Sequence, residues 1–131
     1  MKLKIKIAAA TLGIGLLAVG SGMVTAATYY GYDTRVPAVS DYESSNKTKI
    51  SSGSAYNVVN YVEGNRGIVS WIENTGGSNV TPKVSYTTTG TKTMTYYYPS
   101  SNYVGKLVHL NISTAVGNYT ATGTRGSWTP N

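Results

Sequence analysis

The segment "VTPKVSYTTTGTKTMTYYY", residues 80–98, decides the predicted fold class. Apolar and polar side chains alternate along it on both sides of Gly90, and a period of two is typical of strands that bury one face. A three-residue loop, Thr88-Thr89-Gly90 with a left-handed glycine, keeps this alternation in register, whereas a two-residue turn would exchange the two faces. We therefore predict a β-hairpin in which Val84 pairs with Met94.

The alternation divides this predicted hairpin into an inner and an outer face. The inner face collects Val80, Pro82, Val84, Tyr86, Met94, Tyr96 and Tyr98. The outer face collects Thr81, Lys83, Ser85, Thr87, Thr91, Thr93, Thr95 and Tyr97. Because tyrosine combines apolar area with a polar tip, we expect Tyr96 and Tyr98 to be core rings whose hydroxyls reach the sheet margin, and Tyr97 to face solvent.

The rest of the chain also reads as short strands, rich in Thr, Ser, Tyr and Val and separated by Gly, Asn, Ser and Pro. The strand-like runs are 54–63, 66–73, 80–87, 91–98, 106–113 and 118–124. A second hairpin is predicted at Gly64-Asn65, where both residues tolerate positive φ, with Val58 opposite Trp71. Trp128 is expected to close the fold as an apolar lid. These features predict an all-β chain, a small antiparallel β-sandwich of about six to seven strands.

The N-terminus has the pattern of a secretory signal peptide over residues 1–26. Three lysines precede an apolar run from Ile7 to Val19, and small residues end at Ala26. The run is shorter than the roughly 20 residues that a membrane-spanning helix needs, so we expect cleavage, no membrane span afterwards, and a secreted protein that is extracellular or associated with a Gram-positive cell wall. Residues 27–53 are expected to be a polar arm or edge strands, and residues 54–131 the core of one domain.

The net charge and the cysteine content limit the classes of binding partner and of metal site. The formal net charge is +6, and loss of the three lysines of the signal would lower it to +3. The remaining basic residues are scattered singly, which predicts no nucleic-acid partner and only mild attraction to anionic surfaces. The chain has no cysteine, which excludes disulfides and thiolate metal sites.

Residues able to carry catalysis or bind metal are few. His109 is the one histidine, and it is expected to be a surface residue on the wet face of a strand, with no Gly-x-Ser-x-Gly elbow to support a hydrolase. Asp33, Asp41 and Glu43 match no calcium-loop spacing and are expected to be solvated turn acids. We therefore expect no enzyme, no cofactor and no metal.

The outer face of the predicted hairpin is the candidate ligand surface. A flat polar face with one ring can stack on a sugar while hydroxyl and ammonium groups bond to its substituents. The residues assigned to it are Tyr97, Thr95, Thr93, Lys83 and Thr81. The alternative is that threonine is simply a favourable residue on the wet face of a strand.

Three functional classes follow from these features. The first is a secreted binding module for cell-surface carbohydrate or a surface protein. The second is a bacteriocin or toxin that acts on bacterial envelopes through its positive charge, and the third is a structural surface or matrix protein that pairs through edge strands. The stretch "TYYGYD", residues 28–33, resembles the Tyr-Gly-Asn-Gly-Val box of pediocin-like bacteriocins, but Tyr32-Asp33 replaces Asn-Gly, and we transfer no residue roles from that family.

Overall fold

A computed structural model describes residues 26–131, so the predicted signal segment up to residue 25 lies outside the described residues. This part of the chain contains nine strands and two short 3₁₀ turns, Glu63–Asn65 and Ser100–Tyr103. The strands are β1 Tyr30–Val36, β2 Tyr42–Glu43, β3 Lys47–Thr48, β4 Ala55–Val62, β5 Ile68–Asn74, β6 Val84–Tyr86, β7 Gly90–Met94, β8 Leu107–Thr114 and β9 Thr122–Thr129. Among residues 26–131, no helix is long and apolar enough to cross a membrane.

The strands form two antiparallel sheets. The first sheet has the order β1-β9-β4-β7, and the second has the order β2-β8-β5-β6, with β3 also paired to β8. Apolar side chains from both sheets meet in one core, which confirms the all-β sandwich. The strand count exceeds the predicted six to seven because β1, β2 and β3 come from the polar stretch before residue 54.

Strand positions agree with the sequence better than strand partners do. β4, β5 and β8 lie within two residues of the predicted runs, whereas β6 is shorter, β7 ends at Met94 and β9 extends beyond its run to Thr129. Trp128, expected to be a lid, belongs to β9 and is 1% exposed in the core. It lies there because β9 is an interior strand, paired on one side with β1 and on the other with β4.

Neither predicted hairpin forms. β4 pairs with β7 and β9, whereas β5 pairs with β6 and β8, so the chain crosses from one sheet to the other after Val62. It crosses again between β6 and β7, and Val84 therefore pairs with Ser70 while Met94 pairs with Ala55. Alternation predicts which side of a strand is buried, but it does not predict which of the two sheets of a sandwich the strand joins.

The first crossing uses the residues that had predicted a turn. Gly64 and Asn65 have φ of 59° and 51°, as expected from their tolerance of the left-handed region, but they belong to the 3₁₀ turn Glu63–Asn65. Arg66 N–H donates to the Glu63 carbonyl, and the Arg66 guanidinium lies 3.4 Å from Glu63 Oε1. A change of sheet therefore replaces the expected β-turn.

The predicted faces of residues 80–98 are correct at Val80, Tyr86 and most other positions and are wrong at Thr81, Pro82 and Tyr98. Met94 and Tyr96 are buried, and Tyr97 is 46% exposed, as the alternation requires. Tyr98 is 96% exposed and Pro82 is also exposed, contrary to prediction, whereas Thr81 is fully buried. The alternation fails there because β7 ends at Met94 and β6 begins only at Val84, so the flanking residues are outside the strands.

A buried polar network joins the two sheets through the core. Tyr32 Oη donates to Asn57 Oδ1 at 2.7 Å, and Asn57 Nδ2 donates to Ser70 Oγ at 3.0 Å and to Tyr86 Oη at 3.1 Å. Tyr32 and Asn57 belong to the first sheet, and Ser70 and Tyr86 to the second. The two bonds from Asn57 Nδ2 therefore cross from the first sheet to the second, which favours one relative placement of the sheets.

Candidate functional site

The residues assigned to the ligand surface do not form one surface. Thr93 lies in β7, and Thr95 and Tyr97 follow it, all three exposed. Thr81 is buried, where its Oγ1 accepts the Ile72 N–H at 3.1 Å and donates to the Pro82 carbonyl at 3.0 Å. This corrects its assignment, since a threonine used in this way offers nothing to a ligand.

Lys83 also leaves the predicted group. It precedes β6 of the second sheet, and its Nζ lies 4.1 Å from the centre of the Trp71 ring. Thr93 belongs to the first sheet, so the two residues serve different sheets because the predicted hairpin does not form. Binding by Thr93, Thr95 and Tyr97 stays a prediction.

The outward side of the first sheet carries a row of short side chains across all four strands. Gly31 of β1 is opposite Ser127 of β9, Ser127 is opposite Val58 of β4, and Val58 is opposite Thr91 of β7. None of them is buried. We call this outward side the furrow face, because larger side chains border the row on both sides.

One border of the row is formed by tyrosines. Tyr56 of β4 lies between Thr129 of β9 and Thr93 of β7, and its ring is partly exposed. Tyr29 lies immediately before β1 and close to Tyr56. Burial raises the pKa of Tyr29, and the nearby Tyr56 phenolate charge raises it further. Thr93, one of the predicted site residues, therefore stands beside an aromatic ring that the sequence did not place there.

The opposite border of the row is charged and aromatic. Arg125 of β9 lies between Asp33 of β1 and Tyr61 of β4, and its guanidinium carbon is 4.2 Å from the centre of the Tyr61 ring. A β-bulge at Asn60 brings Tyr61 to the outer face, where it is 37% exposed.

Beyond Tyr61 the furrow face has a depression of about 320 Å³. Glu63 anchors its floor by accepting the Gly123 N–H at 2.9 Å and pairing with Arg35 at 2.9 Å. The backbone hydrogen bond from Gly123, followed by the bond from Arg35, lowers the pKa of Glu63. The carboxylate therefore stays ionised and holds the guanidinium at the rim.

The furrow face has the chemical features of a site for an elongated polar ligand. Flat rings at both borders offer stacking surfaces, and the hydroxyls of Ser127, Thr91 and Thr93 and the guanidinium of Arg125 offer hydrogen bonds. The shallow shape suits a chain that lies across strands rather than a small molecule held in a cavity.

The second sheet carries a different cluster on its outward side. His109 of β8 is directly opposite Glu73 of β5, and Glu43 of β2 is on the other side of β8. His109 Nε2 lies 3.4 Å from Glu73 Oε1 and 3.7 Å from Glu43 Oε1. His109 is only 8% exposed, so the expectation of a wet surface histidine is wrong.

Neighbouring side chains hold this cluster in place. His109 Nδ1–H donates to Asn46 Oδ1 at 3.1 Å, since a carboxamide oxygen can only accept, and Trp71 Nε1–H donates to Glu73 Oε2 at 2.9 Å. Asp41 is close enough that its pKa is raised, first by burial and then by the charges of Glu73 and Glu43, with Lys83 opposing them. Asp41 and Glu43 are both exposed, as expected for solvated acids, but Glu43 also belongs to a cluster with Glu73 and His109 that the sequence did not predict.

The sequence contains a partial signal for this cluster. In "SWIEN" Trp71 and Glu73 share the face opposite Ile72, and in "LVHLNIS" His109 and Asn111 share the face opposite Leu110. The pairing that brings these two outer faces together joins strands that are distant in sequence, so no local pattern predicts it.

Comparison with known family models, curated proteins and solved structures finds no match for this chain.

Proposed function

We propose that the chain is a secreted, non-enzymatic binding module that holds cell-surface carbohydrate on its furrow face. The observation that carries the proposal is the row Gly31–Ser127–Val58–Thr91, bordered by Tyr56 on one side and Tyr61 with Arg125 on the other. A row of short side chains between rings gives a sugar chain both a place to lie and a surface to stack on.

Two further features support this class of function. The N-terminal pattern predicts export, which would bring the domain to surface glycans. The basic residues of the furrow face, Arg35 and Arg125, suit the acidic or polar substituents of such glycans. Thr93, predicted from the sequence as a ligand contact, remains part of the proposed surface because it is adjacent to Tyr56.

The test is retention on insoluble peptidoglycan and on a glycan array. Tyr56→Ala and Tyr61→Ala should each weaken retention by about twofold to tenfold, since an aromatic contact contributes about 0.5–1.5 kcal/mol beyond its buried area. Tyr98→Ala is the matched control, because Tyr98 is 96% exposed and lies outside the furrow face. Thermal unfolding of all three variants should stay within a few degrees of the parent protein.

Adding Tyr97→Ala to these variants separates the competing proposals. If Tyr97→Ala alone weakens retention, the surface predicted from the sequence carries the binding and the furrow face does not. Capture of a surface protein without any glycan would redirect the proposal to protein recognition. Growth inhibition or dye release would favour the toxin class, and fibre formation the matrix class.

A further inference from the structure

We propose that Glu43, Glu73 and His109 form a binding site for a divalent transition-metal ion, of which Zn²⁺ is the representative, on the outward side of the second sheet. The three ligands come from the neighbouring strands β2, β5 and β8. Their ligand atoms all lie within 4.8 Å of one another. This site is on the opposite sheet from the furrow face and does not depend on the proposed carbohydrate binding.

The spacing fits ligands that share an ion better than groups that bond directly. Two ligand atoms about 2.05 Å from a zinc ion at a tetrahedral angle are about 3.3 Å apart. His109 Nε2 is 3.4 Å and 3.7 Å from the two carboxylate oxygens. A protonated imidazole that donated to either carboxylate would approach to about 2.7–2.9 Å.

The imidazole is prepared to act as a ligand. Because Nδ1 carries the proton that Asn46 accepts, Nε2 presents its lone pair to the two carboxylates. Among residues 26–131, buried Nε2 has no hydrogen-bond partner. The indole N–H of Trp71 holds Glu73 in the same way that Asn46 holds His109, so two of the three ligands have fixed orientations.

The electrostatics of the cluster also call for a cation. Two of the five acidic residues of the chain, Glu43 and Glu73, bring carboxylate oxygens to the same imidazole. Within the described part of the chain, neither Glu43 nor Glu73 forms an ion pair with lysine or arginine. Two carboxylates this close repel each other unless a positive charge lies between them.

Asn111 supplies an independent indication. It is fully buried on the same face, directly opposite Glu43 and Trp71, and within residues 26–131 both its Oδ1 and its Nδ2 have no hydrogen-bond partner. A buried carboxamide without partners is costly. A metal-bound water beside it would satisfy the amide and complete the coordination.

The ligand set indicates the class of ion. One imidazole nitrogen with two carboxylates suits Zn²⁺ and its neighbours in the transition series, whereas Ca²⁺ prefers six to eight oxygen ligands. The Glu43 side chain is 58% exposed, so the site is open to solvent on the β2 side. Such an ion would fasten the two-residue strand β2 to the centre of the sheet.

The sole histidine of the chain makes the test direct, because its imidazole signals in NMR spectra need no assignment. Titration of the purified protein with ZnCl₂ should shift the Nε2 resonance with a stoichiometry of one. Glu43→Gln and Glu73→Gln should each lower Zn²⁺ affinity tenfold or more, and Asn46→Ala by about tenfold to a hundredfold. Asp33→Asn, which removes one carboxylate from the opposite sheet, should bind Zn²⁺ like the parent protein.

The outcomes are decisive in both directions. An imidazole signal that does not respond to millimolar ZnCl₂ or CoCl₂ would overturn the proposal, and so would equal affinity in Glu43→Gln and the parent protein. Glu43→Gln keeps the test valid even if Glu73→Gln fails to fold, because Glu43 is mostly exposed. Glycan retention depends on residues of the first sheet, so it tests the proposed function separately from the metal site.

Discussion

At the scale of single residues, the chain uses tyrosine for work that phenylalanine could not do. It has twelve tyrosines and no phenylalanine. Tyr32 and Tyr86 hydrogen-bond to Asn57 between the sheets, and Tyr96 Oη donates to the Pro130 carbonyl at 3.0 Å. A phenyl ring at any of these positions would fill the space and leave a buried polar partner unsatisfied.

Tyr86→Phe should lower the free energy of unfolding at pH 7 by about 1–3 kcal/mol, because Asn57 and Ser70 lose a buried partner. Tyr98→Phe is the matched control and should leave stability unchanged, since its hydroxyl is in solvent. Urea unfolding followed by tryptophan fluorescence measures both. Equal stability of the two variants would show that the inter-sheet network contributes nothing.

The difference in unfolding free energy between the parent protein and Tyr86→Phe should disappear at alkaline pH. Burial raises the pKa of Tyr86 to about 12, above the ordinary tyrosine value of 10.0. The folded state therefore holds the phenol proton more tightly, and this contribution is present below pH 10 and is lost as the pH rises to 12. A shift of this size corresponds to about 3 kcal/mol.

Urea unfolding of the parent protein and of Tyr86→Phe at several pH values checks this expectation. Burial also lowers the pKa of Lys49 to about 8, so Lys49 makes the folded state more stable as the pH rises above 8. Lys49 is present in the parent protein and in Tyr86→Phe, so its effect cancels in the comparison. The difference between the two unfolding free energies therefore isolates Tyr86. A difference that stays constant from pH 8 to 12 would contradict the proposed origin.

At the scale of strands, alternation predicted which side is buried but not which strand is the neighbour. Met94, Tyr96 and Tyr97 have the predicted orientations. In β8, Val108, Leu110 and Ile112 are buried and alternate with the outward residues His109 and Asn111. The predicted strand partners were wrong because pairing joins strands that are distant in sequence. Of the predicted site residues, Thr93 keeps a place on the candidate surface, whereas Thr81 and Lys83 lost theirs when the hairpin did not form.

β9 contains a glycine whose absence of a side chain is required by packing. A Cβ on Gly126 would overlap the Val58 carbonyl oxygen and lie 2.7 Å from Tyr32 Oη. Gly126→Ala should therefore destabilise the protein by about 1–3 kcal/mol, since the two neighbouring strands must move apart or Tyr32 must leave Asn57. Thermal unfolding measures the loss.

Gly76→Ala is the control for this substitution. Its Cβ would meet only Asn74 Oδ1 at 3.5 Å, an ordinary contact in an exposed turn, so a change within about 0.5 kcal/mol is expected. If Gly126→Ala were as stable as Gly76→Ala, the close packing of β1, β9 and β4 over this residue would be refuted.

At the scale of the whole molecule, the sandwich separates two outward surfaces of different chemistry. The first sheet presents short side chains, tyrosines and arginines, whereas the second presents carboxylates and the histidine. The core network of Tyr32, Asn57, Ser70 and Tyr86 lies between them. The two surfaces do not share a side chain.

This separation predicts that the two surfaces act independently. Glu43→Gln should leave glycan retention unchanged, and Tyr56→Ala should leave Zn²⁺ affinity unchanged, because substitutions with no shared partners are additive. Measuring both properties in the two single variants and the double variant checks this. A double variant that departs from additivity by more than about 0.5 kcal/mol would show coupling through the core.

The sequence by itself determined the fold class, the approximate positions of most strands and the burial of Met94 and Tyr96, because each depends on local composition and a period of two. Only the tertiary structure decided that β4 and β5 belong to different sheets, that Thr81 is buried, and that His109 meets Glu43 and Glu73. The physical reason is that strand pairing is satisfied by backbone groups that every residue carries, so side-chain patterns choose a face while the choice of partner depends on packing of the whole core.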